Sequence, residues 1–194
     1  AFVDWLNQTL TGGMASGAGL RFLTQTVTSP TLAAQFQAIG QKFPTAKWHQ
    51  WDPLNRDAAR DAGSGGENLY DFSKAKVIVA LDSDFLYLHP AALRHTRDFA
   101  AQRRVDRPNG ATMNRLYVAE PTPTITGSNA DHRLPLASRE IHALAAALAT
   151  NAQISGPAAS WLAAAAQDLA ANRGAGIVIA GETQPPEVHA LVAQ

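Results

Sequence analysis

The chain has 194 residues, sixteen basic and sixteen acidic side chains, and no cysteine. Its length suits one domain, and its 46% hydrophobic fraction is that of a folded globular chain. Balanced charge removes any long-range pull toward nucleic acid or anionic membranes; the lack of cysteine excludes a disulfide, a thiolate metal site, an iron–sulfur cluster and a cysteine nucleophile within this chain.

Phe2, Val3, Trp5, Leu6 and Leu10 fall near helical spacing, and Val188, Leu191 and Val192 do so at the other end. The chain is therefore expected to be a piece of a longer protein. No stretch approaches the ~20 apolar residues that span a bilayer. Between the ends, short apolar runs alternate with amphipathic stretches. The runs are Leu20–Leu23, Ala46–Trp51, Val77–Leu81, Leu116–Ala119 and Ile177–Ala180. Runs of this kind fit strands buried on both faces.

The helical patterns follow in order. Ser29-Pro30 supplies an N-cap and a first-turn proline for a helix that Gly40 is expected to close. Asn55 to Ala62 forms a shorter one. His89 to Arg104 has a proline near its start and basic residues at its end. Ser138 is expected to cap Ile141–Ala149, and Ala158 to Ala171 is alanine-rich between Gly156-Pro157 and Gly174. The alternation predicts one α/β domain over 1–194, Rossmann-like or flavodoxin-like. It is three-layered and doubly wound, with a mainly parallel five-stranded sheet, order 2-1-3-4-5, and helices on both faces. Ala62–Asn68 reads as a Gly/Ser linker and Glu120–Leu134 as a long loop.

In such a sheet ligands bind beyond the carboxyl ends of the strands. Four of the five runs are followed there by a carboxylate: Asp52, then Asp82-Ser83-Asp84, then Glu120-Pro121-Thr122, then Glu182. Pyrophosphate sites need glycines and free amides after a strand. Here Gly12, Gly13, Gly17 and Gly19 precede one, and no lysine completes a P-loop. A phosphate beside these carboxylates would meet like charge, with no cation expected closer than Arg133. Asp82 and Asp84 leave one catalytic alternative open, a Mg²⁺-dependent phosphoryl-transfer pair of nucleophile and acid; the plain alternative is a capped turn with solvated carboxylates.

The histidines at 49, 89, 95, 132, 142 and 189 lack metal-ligand spacing, and helical spacing puts His89 and His95 on different faces. Asp131-His132-Arg133 is either a proton-handling trio or a hydrogen-bonding turn. Trp48 and Trp51, on opposite faces of one strand, suit packing or an interface better than a cofactor cage.

Val77–Leu86 followed by His89-Pro90-Ala91-Ala92-Leu93-Arg94, and Tyr117–Thr124 followed by Ala130-Asp131-His132-Arg133-Leu134-Pro135-Leu136, resemble segments of the molybdopterin oxidoreductase superfamily. Met113–Val118, Ala180–Leu191, Leu20–Pro30 and Lys47-Trp48-His49-Gln50 are similar to one branch in particular, the large iron–sulfur subunit of alternative complex III. That branch is often labelled a molybdopterin oxidoreductase iron–sulfur binding subunit or an iron–sulfur-cluster-containing hydrogenase component. The similarity spans roughly residues 19–55, 68–149 and 176–194. Where cofactor-binding members carry Gly-Ser-Asn-Pro, this chain has Leu81-Asp82-Ser83-Asp84; where they carry Asp-Pro-Arg, it has Glu120-Pro121-Thr122.

The resemblance thus implies the superfamily's fold with degenerate cofactor loops: a non-catalytic domain of an oxidoreductase complex serving electron transport. It implies no cofactor in this domain and no catalytic or metal residues, with iron–sulfur clusters in a separate cysteine-rich domain. Its partners would be other domains of the subunit and other subunits of the membrane complex, on the periplasmic side of the inner membrane. Neither nucleic acid nor direct membrane insertion is implied. The alternatives are the phosphoryl-transfer enzyme using Asp82 and Asp84, or a domain that does hold a molybdopterin.

Overall fold

The computed structural model of the chain describes residues 1–12, 16–53, 55–63, 68–104 and 113–193. Gly13 and linker residues 64–67 lie outside them. The chain divides into two compact units, Ala1–Asn55 and Arg56–Gln194.

The first unit holds a helix α1 (Phe2–Gly12), strand β1 (Arg21–Thr24), helix α2 (Pro30–Lys42) and strand β2 (Lys47–Gln50). β1 and β2 pair in parallel as a two-stranded sheet. Phe36 of α2 stacks on Trp48 of β2 at 4.4 Å and meets Phe22 of β1 edge-on at 5.6 Å. Ser29 caps α2 through Leu32 N–H, as its sequence predicts. The helix does not stop at Gly40; it runs on to Lys42, since one glycine in a helix costs only about 1 kcal/mol.

The second unit holds, in chain order, α3 (Asp57–Ala62), β3 (Val77–Leu81), α4 (Ala92–Gln102), β4 (Arg115–Glu120), α5 (Ile125–Ser128), β5 (His132–Pro135), a single 3₁₀ turn (Ser138–Glu140), α6 (Ile141–Thr150), α7 (Ala158–Ala171), β6 (Gly176–Ala180) and α8 (Pro186–Val192). Its four strands form one parallel sheet in the order β5-β4-β3-β6. The α/β class, the parallel strands and the flanking helices are as read from the sequence. The five-stranded sheet in order 2-1-3-4-5 is not what forms. The Leu20–Leu23 run is not central; it pairs with β2 in the separate two-stranded sheet. Its burial explains why: β1 and β2 contain no buried residue, so they are not strands covered on both faces. The supposed loop Glu120–Leu134 contains α5 and most of β5, a strand too short and polar to announce itself.

β3 is buried at every position. Val77, Val79 and Leu81 face one core with Tyr117, Leu134, Ile141, Leu144, Trp161, Leu162 and Val188, so α6, α7 and α8 cover that side. Ile78 and Ala80 face the other with Phe72, Phe85, Phe99, Leu116, Val118 and Ile179, under α4 and the flanking turns. Period-2 alternation thus distributes one strand between two cores. Val79→Asp would bury an unpaired charge in the first core, and we expect a loss of several kcal/mol in chemical denaturation. A variant as stable as the parent would disprove that placement.

Candidate functional site

Starting from β3, the chain adds β4 and β5 on one side, then returns to place β6 on the other. The switch point therefore lies between the carboxyl ends of β3 and β6, where a ligand crevice is expected in an open α/β sheet. Protein atoms occupy this place. Asp82 follows β3 with a left-handed backbone (φ 54°), which Asp tolerates better than most residues. Its amide donates to Ala119 at 2.7 Å, and Gly181 N–H donates to Leu81 O at 2.9 Å. A Cβ on Gly181 would overlap the Asp82 carbonyl, so glycine lets the two turns touch.

The side chains close the same point. Buried Gln184 donates from Nε2 to Asp82 Oδ2 at 2.7 Å, and its Nε2 lies 2.9 Å from Ser138 Oγ. Ser138 Oγ in turn donates to Asp82 Oδ2 at 3.0 Å. Ser138, expected as a helix cap, thus serves as a partner of Asp82. Gln184, passed over in the sequence, is the hub of the triangle; its only sequence signal is its place three residues after Gly181.

Asp84 turns elsewhere. Its Oδ1 accepts from Thr126 N at 2.9 Å and Oγ1 at 2.7 Å, while Thr126 Oγ1 accepts from Leu86 N. Asp84 therefore ties the turn after β3 to α5. Asp82 and Asp84 are bound to different elements through different donors. Between them Ser83 is buried. At the end of β4, Glu120 is 1% exposed. Its carboxylate accepts from Arg133 Nε at 2.6 Å, from Thr124 Oγ1 at 2.7 Å and from Thr124 N at 3.3 Å. A Cβ on Gly127 would overlap this carboxylate, so α5 depends on glycine there. Pro121 and Thr122 are exposed in the intervening turn. Glu182, after β6, accepts from Arg56 Nε at 2.8 Å.

The sequence places no cation among these loop tips; the structure supplies Arg133 to Glu120 and Arg56 to Glu182. Arg133, the nearest cation in sequence, lies 13 residues from Glu120, whereas Arg56 is 126 residues from Glu182, too far for spacing to indicate. The trio Asp131-His132-Arg133 is dispersed: Asp131 pairs with Arg103 and accepts from Leu116 N–H, His132 stacks on Tyr117 at 4.7 Å, and Arg133 serves Glu120. His89 and His95 do not diverge. α4 begins only at Ala92, so His89 sits in the preceding turn and its ring lies 4.5 Å from His95. Beside the switch point, a cavity of about 80 Å³ is walled by residues including Arg56, Arg60, Tyr70, His89, Glu182 and His189.

No protein-family model matches the chain, and no curated protein matches it in sequence. Among the described residues no group of three or more His, Asp or Glu is arranged to hold a metal ion, and no helix is long and apolar enough to cross a membrane.

Two measurements test this description. Removing the cation of the Glu120–Arg133 pair leaves a buried carboxylate unmatched, whereas Glu120→Gln leaves Arg133 reachable by water. Arg133→Met should therefore cost about 3 kcal/mol or more, and Glu120→Gln distinctly less; the reverse order in urea unfolding would show that Glu120 is not the buried partner. His95 is nearly fully buried, and burial holds its imidazole below the ordinary range against the opposing Phe85 carbonyl, with Arg94 adding to the lowering. The unfolded chain protonates first, at about pH 6.5, so the stability is intact above that value and declines as the pH falls below it toward the folded-state value. His95→Gln should flatten the thermal stability profile below about pH 6.5, and an unchanged slope would remove His95 as its source.

Proposed function

We propose that this chain is a non-catalytic molybdopterin-oxidoreductase-like domain of a respiratory iron–sulfur subunit, holding its place in a membrane complex while other domains and subunits oxidise quinol and carry electrons. One observation carries the reading: the switch point between β3 and β6 is filled by the Gly181–Asp82 backbone contact and by the Asp82–Gln184–Ser138 triangle. A pterin pyrophosphate at this point would have to displace Gln184 and leave buried polar groups without partners, at about 1–3 kcal/mol each. The sequence resemblance supports the same reading, because its cofactor loops depart from the superfamily's pattern at Leu81–Asp84 and Glu120–Thr122.

A partner-facing role draws further support from exposed apolar side chains. Leu69 is 84% exposed and Leu93 is 92% exposed, and Tyr87 and Leu88 are exposed between them in sequence. Large apolar groups exposed to this degree suit coverage by another protein surface. On this reading the clusters lie in a separate domain of the subunit, and the complex sits on the periplasmic side of the membrane.

Equilibrium dialysis of the chain against GDP and a guanine dinucleotide pterin analogue, with and without Mg²⁺, tests the proposal. We expect no submicromolar binding of either. Tight binding that Gln184→Leu alters would give the case to a cofactor-holding domain. Mg²⁺-dependent hydrolysis of a phosphate ester, abolished by Asp82→Asn, would give it to the phosphoryl-transfer enzyme.

A further inference from the structure

The geometry points to a second site in this unit: the cavity beside the carboxyl end of β6 binds a small oxyanion, a phosphate or carboxylate group, between the α3 arginines and His189. It goes beyond the structural role proposed above and does not depend on it.

The first argument is the character of the wall. Arg56 and Arg60 come from the start and body of α3, Asn68 and Tyr70 from the segment before β3, His89 from the turn before α4, and His189 from α8. All of these can donate hydrogen bonds. The one carboxylate in the wall is Glu182, held by Arg56 Nε at 2.8 Å. Arg60 is paired with Asp57, but that pair is more than half exposed, where an ion pair contributes little and exchanges readily. Each guanidinium thus already faces a carboxylate, Arg56 with Glu182 and Arg60 with Asp57, and the exposed Arg60–Asp57 pair is the one an entering anion can open.

The second argument is His189. Its Nε2 is buried and has no hydrogen-bond partner among the described residues. A buried nitrogen of this kind is normally satisfied by protein, water or ligand. Burial holds the imidazole below its ordinary range, against the Gln184 and Gly181 carbonyls and the charge of Glu182. An oxyanion in the cavity would supply negative charge that favours protonation, and the imidazolium could then donate a charge-assisted hydrogen bond. The third argument is size. A cavity of about 80 Å³ is well above the ~10–15 Å³ that one water needs. It has room for a phosphate or carboxylate group, so the ligand is either a free anion or the anionic end of a larger molecule.

The test uses inorganic phosphate, acetate and glycerol 3-phosphate as probes, followed by NMR of the histidine ring and backbone resonances, with chloride at equal ionic strength as the control. We expect phosphate or acetate to shift the His189 and His89 rings saturably and chloride to leave them in place. Glycerol 3-phosphate binding as well as inorganic phosphate would indicate the end of a larger molecule, and weaker binding a free anion. His189→Gln and Arg60→Gln should each weaken binding about tenfold, the loss of one hydrogen bond to a charged group. Arg60 is half exposed, so that variant tests the site without threatening the fold, and Arg97→Gln on the exposed side of α4 should change nothing. Equal shifts with chloride, or binding unaffected by both variants, would overturn the inference. Failure here leaves the switch-point reading intact, because that reading is tested by GDP and the pterin analogue.

Discussion

The unit from Arg56 to Gln194 depends on one constraint: β3 exposes none of its residues, so both faces and both edges must be covered. β4 and β6 supply the edges in register, from Val77 opposite Arg115 and Gly176 to Leu81 opposite Ala119 and Ala180. Helices α6 to α8 cover one face, and α4 with the Phe72–Phe85 stack at 4.5 Å covers the other. A strand placed in this way ends abruptly in a region where backbone groups and charges have no easy access to water. The residues that follow it must then resolve their polar groups within the protein.

That requirement accounts for the chemistry at the carboxyl edge. Asp82 turns the chain in a left-handed conformation and is met by Gln184 and Ser138 from two other segments. Asp84 binds the start of α5, whose glycine in turn makes room for Glu120. Glu120 holds Thr124 and Arg133, which fixes β5 beside β4. Each carboxylate joins its own segment to another: Asp82 and Asp84 over long separations, Glu120 to the following α5 and β5. An acidic edge that looks repulsive residue by residue is a set of local clamps, and its polar groups are directed at protein rather than outward at a ligand.

The parts of this that could be read from the sequence are those governed by local pattern. Val77–Leu81, Leu116–Ala119 and Ile177–Ala180 announce buried parallel strands because apolar residues occupy both faces, and Ala158–Ala171 announces its helix with the observed bounds. β5 was illegible, since two of its four residues are His132 and Arg133 and the latter is charged because it answers Glu120 across the sheet. The place of β1 is illegible for a related reason: four residues of suitable composition reveal strand character, but not which partner covers them. His89 reads as a helix residue because Pro90 suits a first turn, whereas the turn persists to Ala91 and brings the ring onto His95.

The candidate site divides along the same line. Asp82, Asp84, Glu120 and Glu182 could be named from their positions after strands, because topology alone brings strand ends to one edge. Their partners could not. Arg56 and Glu182 are 126 residues apart, and Asp82 and Gln184 are 102 apart. Pairings over such separations follow from the sheet order, which places β6 next to β3 and so carries Gln184 to Asp82. Had β6 been added beside β4, as the expected order required, the β3 turn would have faced a different neighbour and the switch point would have lain elsewhere. Strand order thus decides whether an aspartate after β3 is a ligand of something external or a fixture of the fold. In this chain the order puts a glutamine and a serine within reach of it.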